Sequence, residues 1–138
     1  LIADAGIVTS KVAAEAITSF RSTSIATSYS GNGSDQTVAT FNFNVPQAGS
    51  AIVLYSADTS TNTNFVGITI KIYVDGVLVA TKYSVSLVVS GGSYINHADA
   101  SIGGLTLSQG AHTVTVVMNG GSGSTISNQS ITVFTGAR

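Results

Sequence analysis

At 138 residues the chain is long enough for one ordinary domain with a real core. Only 8% of its residues are charged and the formal charge is −1, so it has no basic face for phosphate, which excludes nucleic acid as a partner. Mean hydropathy is +0.40, yet the apolar runs are short and broken, far from the ~20 residues that cross a bilayer. There is no cysteine, and so no thiolate metal site, catalytic thiol or disulfide. A surface so poor in charge implies burial against sister chains together with a coat of Ser, Thr and Asn. Beginning at Leu1, without Met or a cleavable leader, the sequence reads as the C-terminal end of a longer protein.

The chain opens on a repeat. IADAGIVTSK (2–11) is followed at once by VAAEAITSFR (12–21), and Ile2 aligns with Val12, Gly6 with Ala16, Ile7 with Ile17, and Lys11 with Arg21. A decamer anchored at its first and sixth positions buries too little surface to offset its ordering entropy. It becomes stable when parallel copies from other chains close around it, and Ala5, Gly6, Ala13 and Ala16 allow close approach. Residues 1–21 are therefore expected to form an intertwined stalk, with Ile2, Ile7, Val12 and Ile17 at its axis and Phe20 as a plug. The competing reading is a disordered or helical tail.

Residues 22–36 are a Ser/Thr/Gly-rich connector with turn chemistry at Gly31-Asn32-Gly33. From Thr37 to the end, residues 37–138, a period-two pattern takes over. Expected strands are 38–45 (Ala39, Phe41, Phe43 and Val45 inward), 50–57, 66–74, 77–89, 111–118 and 127–135. Ile68, Ile70, Ile72 and Val74 share one face of the third of these. Asp75-Gly76 then predicts a tight hairpin. The returning strand is read with Val77, Val79, Thr81 and Tyr83 inward, and with Lys71 and Lys82 facing solvent. Pro46 falls between strands, where a missing N–H does least harm. The predicted fold is all-β: an antiparallel, jelly-roll-like β-sandwich.

Motifs for chemistry are sparse. His97 and His112 are the only histidines, and no G-x-S-x-G elbow occurs. Ser93, His97 and Asp99 are too close in sequence for an ordinary triad. Asp35, Asp58 and Asp99 lack partners for glycoside cleavage, since the remaining Asp75 is committed to a turn. The chain is thus expected to be non-enzymatic, with no catalytic residue, no cofactor and no metal. In a trimer one axial histidine, His97 or His112, would become three ligands, but trimeric fibres with an axial metal usually show His-x-His spacing, which is absent. For glycan contact, Trp is missing, leaving Tyr29 and Tyr94 as loop aromatics. The contact residues expected from two polar loops, 57–64 and 91–101, are Asp58, Thr61, Asn62, Asn64, Tyr94, Asn96, His97 and Asp99.

The stretch I-A-D-A-G-I-V-T-S-K-V-A-A-E-A-I-T resembles the I-T-A-D-K-I-A-A-N-A-I-T type of repeat in central tail fibre proteins of long-tailed bacteriophages, the host-specificity proteins related to the lambda J protein. It covers about 20 residues, and the sequence departs from the pattern at Ser10 and Phe20. The resemblance implies a homotrimeric fibre at the virion tail tip whose C-terminal domain binds a bacterial surface receptor, whether protein, pilus or glycan. Two alternatives stand beside it: a carbohydrate-binding module of a secreted protein, and a structural cap of a fibre.

Overall fold

The computed structural model describes residues 18–61, 67–85 and 94–137. Their regular structure is entirely strand: β1 Thr18–Ile25, β2 Tyr29–Ser30, β3 Asp35–Val45, β4 Gly49–Thr61, β5 Gly67–Val74, β6 Val77–Val85, β7 Tyr94–Leu107, β8 Gly110–Gly120 and β9 Ser124–Ala137. Two sheets form. One runs β1-β9-β4-β7, with β2 also on β9; the other runs β3-β8-β5-β6. Every pairing is antiparallel, and apart from the β5–β6 hairpin each connection from β3 onward crosses between sheets. This is the strand order of a jelly roll, so the expected β-sandwich is correct.

The core is the sum of the inward alternations. Ile68, Ile70 and Ile72 of β5 face Val53, Tyr55 and Ala57 of β4 and Ile131 and Val133 of β9, all at most 2% exposed. Asp75 (φ 50°) and Gly76 (φ 79°) form the two-residue hairpin, with Val74 opposite Val77. Two successive positive φ values define a type I′ turn, whose twist suits the flanking strands.

Several strands are interrupted by an extra residue, and this explains the departures from simple alternation. In β6 the register slips between Ile72 and Tyr73, with Leu78 opposite Tyr73 and Ala80 opposite Ile72, so that Val79 is extra. The expected parity of β6 is therefore reversed after the hairpin. Ala80, Lys82 and Ser84 stand opposite Ile72, Ile70 and Ile68, while Tyr83 faces outward and is 68% exposed. Lys82 is thus at a core-facing register position on an edge strand, its charge held in solvent. In β3 the extra residue turns both Val38 and Ala39 inward.

Strands also begin earlier than expected. Residues 18–25, assigned from the sequence to the end of the repeat and the connector, pair along β9 from Thr18↔Gly136 to Ile25↔Gln129. The expected loop 91–101 is largely strand β7. Ile2, Ile7, Val12 and Ile17 lie outside the described residues.

Candidate functional site

The two stretches expected to be separate loops are adjacent strands. In the β4–β7 ladder, Asp58 is opposite His97, Ser56 opposite Asp99 and Leu54 opposite Ser101. In the β4–β9 ladder, Ser56 is opposite Ser130, Leu54 opposite Thr132 and Ile52 opposite Phe134. Beyond β9, β1 adds Ser24, Ser22 and Phe20 opposite the same three β9 residues. Directly opposed residues share a face, so these side chains form rows across the outer face of the five-stranded sheet.

One row is apolar: Phe20, Phe134 and Ile52. The Phe20 and Phe134 rings lie 6.1 Å apart and tilted by 30°. Phe20 is 61% exposed and Ile52 44%. The next rows are hydroxyl-rich. A depression of about 370 Å³ is lined there by Leu54, Ser56, Asp99, Ser101, Ser130 and Thr132. A second, of about 260 Å³, adjoins it across Ser130 and reaches Asn128, Ser24 and Ile25. Together they make a trough that crosses β1, β9, β4 and β7. Ser56 and Ser130 hydroxyls hydrogen-bond at 2.8 Å in its floor.

At the end of the trough sits a charged cluster. His97 Nδ1 is 2.9 Å from Asp58 Oδ1, and its Nε2 is 3.3 Å from Asp99 Oδ1. Both ring nitrogens face carboxylates, which accept only, an arrangement that favours the doubly protonated ring. The Asp58 hydrogen bond, followed by the Asp99 charge, raises the His97 pKa above 6.5. Asn128 Nδ2 donates to Asp58 Oδ2 at 2.8 Å, and this bond, with that from His97, lowers the Asp58 carboxyl.

A bulge in β9 aims this cluster. Ser56 pairs Ser130 and Asp58 pairs Ser127, so two residues of β9 stand opposite Ala57 alone. Asn128, at φ 48°, projects outward to Asp58. Gln129 turns inward at 1% exposure, accepting from the Tyr55 hydroxyl at 2.9 Å and donating to the Val38 carbonyl at 3.1 Å. Since Val38 is the extra residue of β3, this one side chain ties a bulge of each sheet together.

The expected contact residues divide. Asp58, His97 and Asp99 come together on the outer face. Thr61 does not: it is 1% exposed and faces inward. Tyr94 and Asn96 occupy register positions opposite the inward-facing Thr61 and Thr59. Asn62 and Asn64 lie outside the described residues. Phe20, expected as a stalk plug, is in β1 on the face just described. Sequence reading missed Ser56, Ser130, Thr132, Asn128 and the Phe20–Phe134 pair; the signal was the alternation S-x-T-x-F at 130–134.

His112 serves a separate, structural end of the molecule. Its Nδ1 donates to Asp75 Oδ2 at 2.7 Å and its Nε2 to the Ser108 carbonyl at 2.8 Å, while the Thr113 N–H donates to Asp75 Oδ1 at 2.9 Å. The Asp75 bond leads the effects that raise His112 above 6.5. Burial pushes Asp75 upward, but the His112 and Thr113 bonds together outweigh it and leave the carboxyl below 3.8. The pair clamps the β5–β6 turn onto β8. Among the described residues, no group of three or more His, Asp or Glu is arranged to hold a metal ion.

No family model and no curated protein matches the chain. Solved structures share its fold. VP2 of infectious bursal disease virus, in its subviral particle, superposes at a TM-score of 0.55 and 14% identity over 88% of this chain and 33% of that one. Dimeric latent PorU of Porphyromonas gingivalis superposes at 0.60 and 14% identity over 86% of this chain and 12% of that one. The CBM36-1 domain of a xylanase from the Trinervitermes trinervoides hindgut metagenome reaches 0.47 at 13% identity over 77% and 74%. The chain therefore spans a third or less of the first two proteins it resembles, and identities this low establish a β-sandwich class and no particular activity.

Proposed function

We propose that this chain is a non-enzymatic attachment domain, displayed as a homotrimer at a bacteriophage tail tip, that binds a bacterial surface receptor through the outer face of the five-stranded sheet. One observation carries the reading: residues 54–58, 97–101 and 128–134, from three strands, converge there on a continuous trough with a charged end. The repeat at 2–21 supports the trimer and the virion setting, and the jelly-roll fold that also builds a viral particle protein is compatible with both. In a trimer, three weak contacts gain through effective concentration, which lets a charge-poor surface hold a target. A carbohydrate-binding module of a secreted protein would use the same trough as a monomer.

The test is adsorption of the fluorescently labelled full chain to a panel of intact Gram-negative and Gram-positive bacteria, with its solution mass read by light scattering. A trimer retained by particular strains, and released from them by the Asp99→Ala/Ser130→Ala variant, supports the proposal. A monomer that adsorbs by the same trough transfers it to a secreted binding module. Absence of adsorption across the panel refutes it.

A further inference from the structure

We infer that the trough takes an uncharged oligosaccharide, with the Phe20–Phe134 pair as a stacking shelf for a sugar ring outside the depression; this rests on the attachment reading above. Three features of the outer face converge. The trough is lined by small hydroxyls, namely Ser24, Ser56, Ser101, Ser130 and Thr132, with the Asn128 amide and the Asp99 carboxylate among them. A carboxylate and paired hydroxyls accept from and donate to neighbouring sugar hydroxyls, which present both roles on each carbon. Leu54 gives the same floor an apolar patch for the C–H side of a ring.

The second feature is charge. Two carboxylates, Asp58 and Asp99, face one imidazole, His97, which is already engaged by both. The other cations among the described residues do not line the trough. Arg21 turns its guanidinium to the Phe20 carbonyl at 2.8 Å. Lys71 pairs with Asp35 at 2.7 Å on the opposite sheet, Lys82 is on the β6 edge, and His112 is in the turn clamp. A uronic, sialic or sulfated sugar would meet net negative charge with no compensating cation among the described residues, so the site selects against it.

The third feature is shape. The trough runs across four strands, about 14 Å at the usual strand spacing, which suits a chain of rings rather than a single one. Phe134 is two residues beyond Thr132 on the same face, about 7 Å from the trough along the strand. Its ring and that of Phe20 lie nearly side by side, and Phe20 is exposed. An aromatic pair with one exposed ring, Phe20, beside a hydroxyl-lined trough matches the division of a sugar's surface into polar rim and apolar face.

The experiment is an array of neutral oligosaccharides and their uronic, sialylated and sulfated counterparts, probed with the full chain, with hits measured by calorimetry. Variants are Asp99→Asn, Ser130→Ala and Phe20→Ser, with Lys71→Gln on the opposite sheet as control, each checked for an unchanged melting transition. Neutral glycans are expected to bind. Asp99→Asn should weaken them about tenfold, the loss of one charge-assisted hydrogen bond. Phe20→Ser should weaken longer chains and leave a disaccharide unaffected. Selection of acidic glycans, or hits insensitive to Asp99→Asn and Ser130→Ala, would overturn the inference. Cells separate the two readings. Adsorption that survives periodate oxidation of surface sugars and is abolished by protease sinks the glycan assignment and leaves attachment standing, whereas absence of adsorption to any cell sinks both.

Discussion

Gln129 offers the sharpest test of how the two sheets are held in register. Its side chain is 1% exposed and makes two hydrogen bonds, from the Tyr55 hydroxyl within its own sheet and to the Val38 carbonyl of the other. Tyr55 is itself 2% exposed, and burial pushes its phenol well above the usual range, so it stays a neutral donor. Gln129→Leu keeps the volume but leaves a buried hydroxyl and a buried carbonyl unpaired, at roughly 1–2 kcal/mol each, for a loss of about 2–4 kcal/mol. Tyr55→Phe leaves only the Gln129 oxygen unpaired and should cost about 1–2 kcal/mol. In the double variant the Val38 carbonyl alone is orphaned, at about 1–2 kcal/mol. The two substitutions should therefore fall short of additivity by about 2–4 kcal/mol in urea unfolding. Additivity within about 0.5 kcal/mol would refute the claim that the two side chains act as one bridge.

Other outcomes follow from the same structure. The His112 contribution is complete below 6.5 and lost as pH rises through its raised value; that of Asp75 is complete above 3.8 and lost as pH falls through its lowered one. Stability measured by chemical unfolding should accordingly be greatest between about pH 4 and 6.5, and His112→Asn should flatten the decline above that range, leaving the smaller slope that belongs to His97. Gly31→Ala would place a methyl against the Ser124 hydroxyl and the Gly120 carbonyl, where Gly31 and Gly33 donate to Ser124 and Gly120 at 2.9 Å each. A loss of at least about 2 kcal/mol is expected in thermal melting. Lys82→Val removes the charge from the core-facing side of edge strand β6, which also exposes Val77, Leu78 and Tyr83. Light scattering should then show concentration-dependent association beyond the trimer, which the unmodified chain does not undergo.

Where alternation was strong, the fold was legible from the residues. The Val/Ile run of β5, the Asp75-Gly76 turn and the Val114–Met118 stretch of β8 each state their period plainly, and they suffice for a sandwich. Strand β7 was hidden because its inward residues Ala98 and Ala100 are small and its bulge is Gly103-Gly104, so it reads as a loop. Strand β1 was hidden for a different reason: its outward face is Phe20, Ser22 and Ser24 and its inward face Ser19, Arg21, Thr23 and Ile25, so that each face carries a single apolar residue and no period shows. Its place is set by the long-range ladder with β9, and local propensity is silent on such pairings. The site was half legible. Asp58, His97 and Asp99 were visible as polar residues in two stretches, but only the register shows that these stretches are neighbours, and only the β9 bulge explains why Asn128 joins them; Thr61 is turned away by the β4 alternation that also buries Ala57 and Thr59.

The direction of β1 has a mechanical consequence. The preceding chain enters at Thr18, beside Gly136, whereas Ser24 of the trough lies six residues further along the strand, about 20 Å away. A tether pulling on residue 18 against a ligand held at Ser130 and Asp99 would load the β1–β9 ladder lengthwise. All eight of its residue pairs would then share the force in shear, in place of peeling open one after another. Lifetime under load is set by the unfolding rate. An attachment held in this direction would outlast one pulled across the strands.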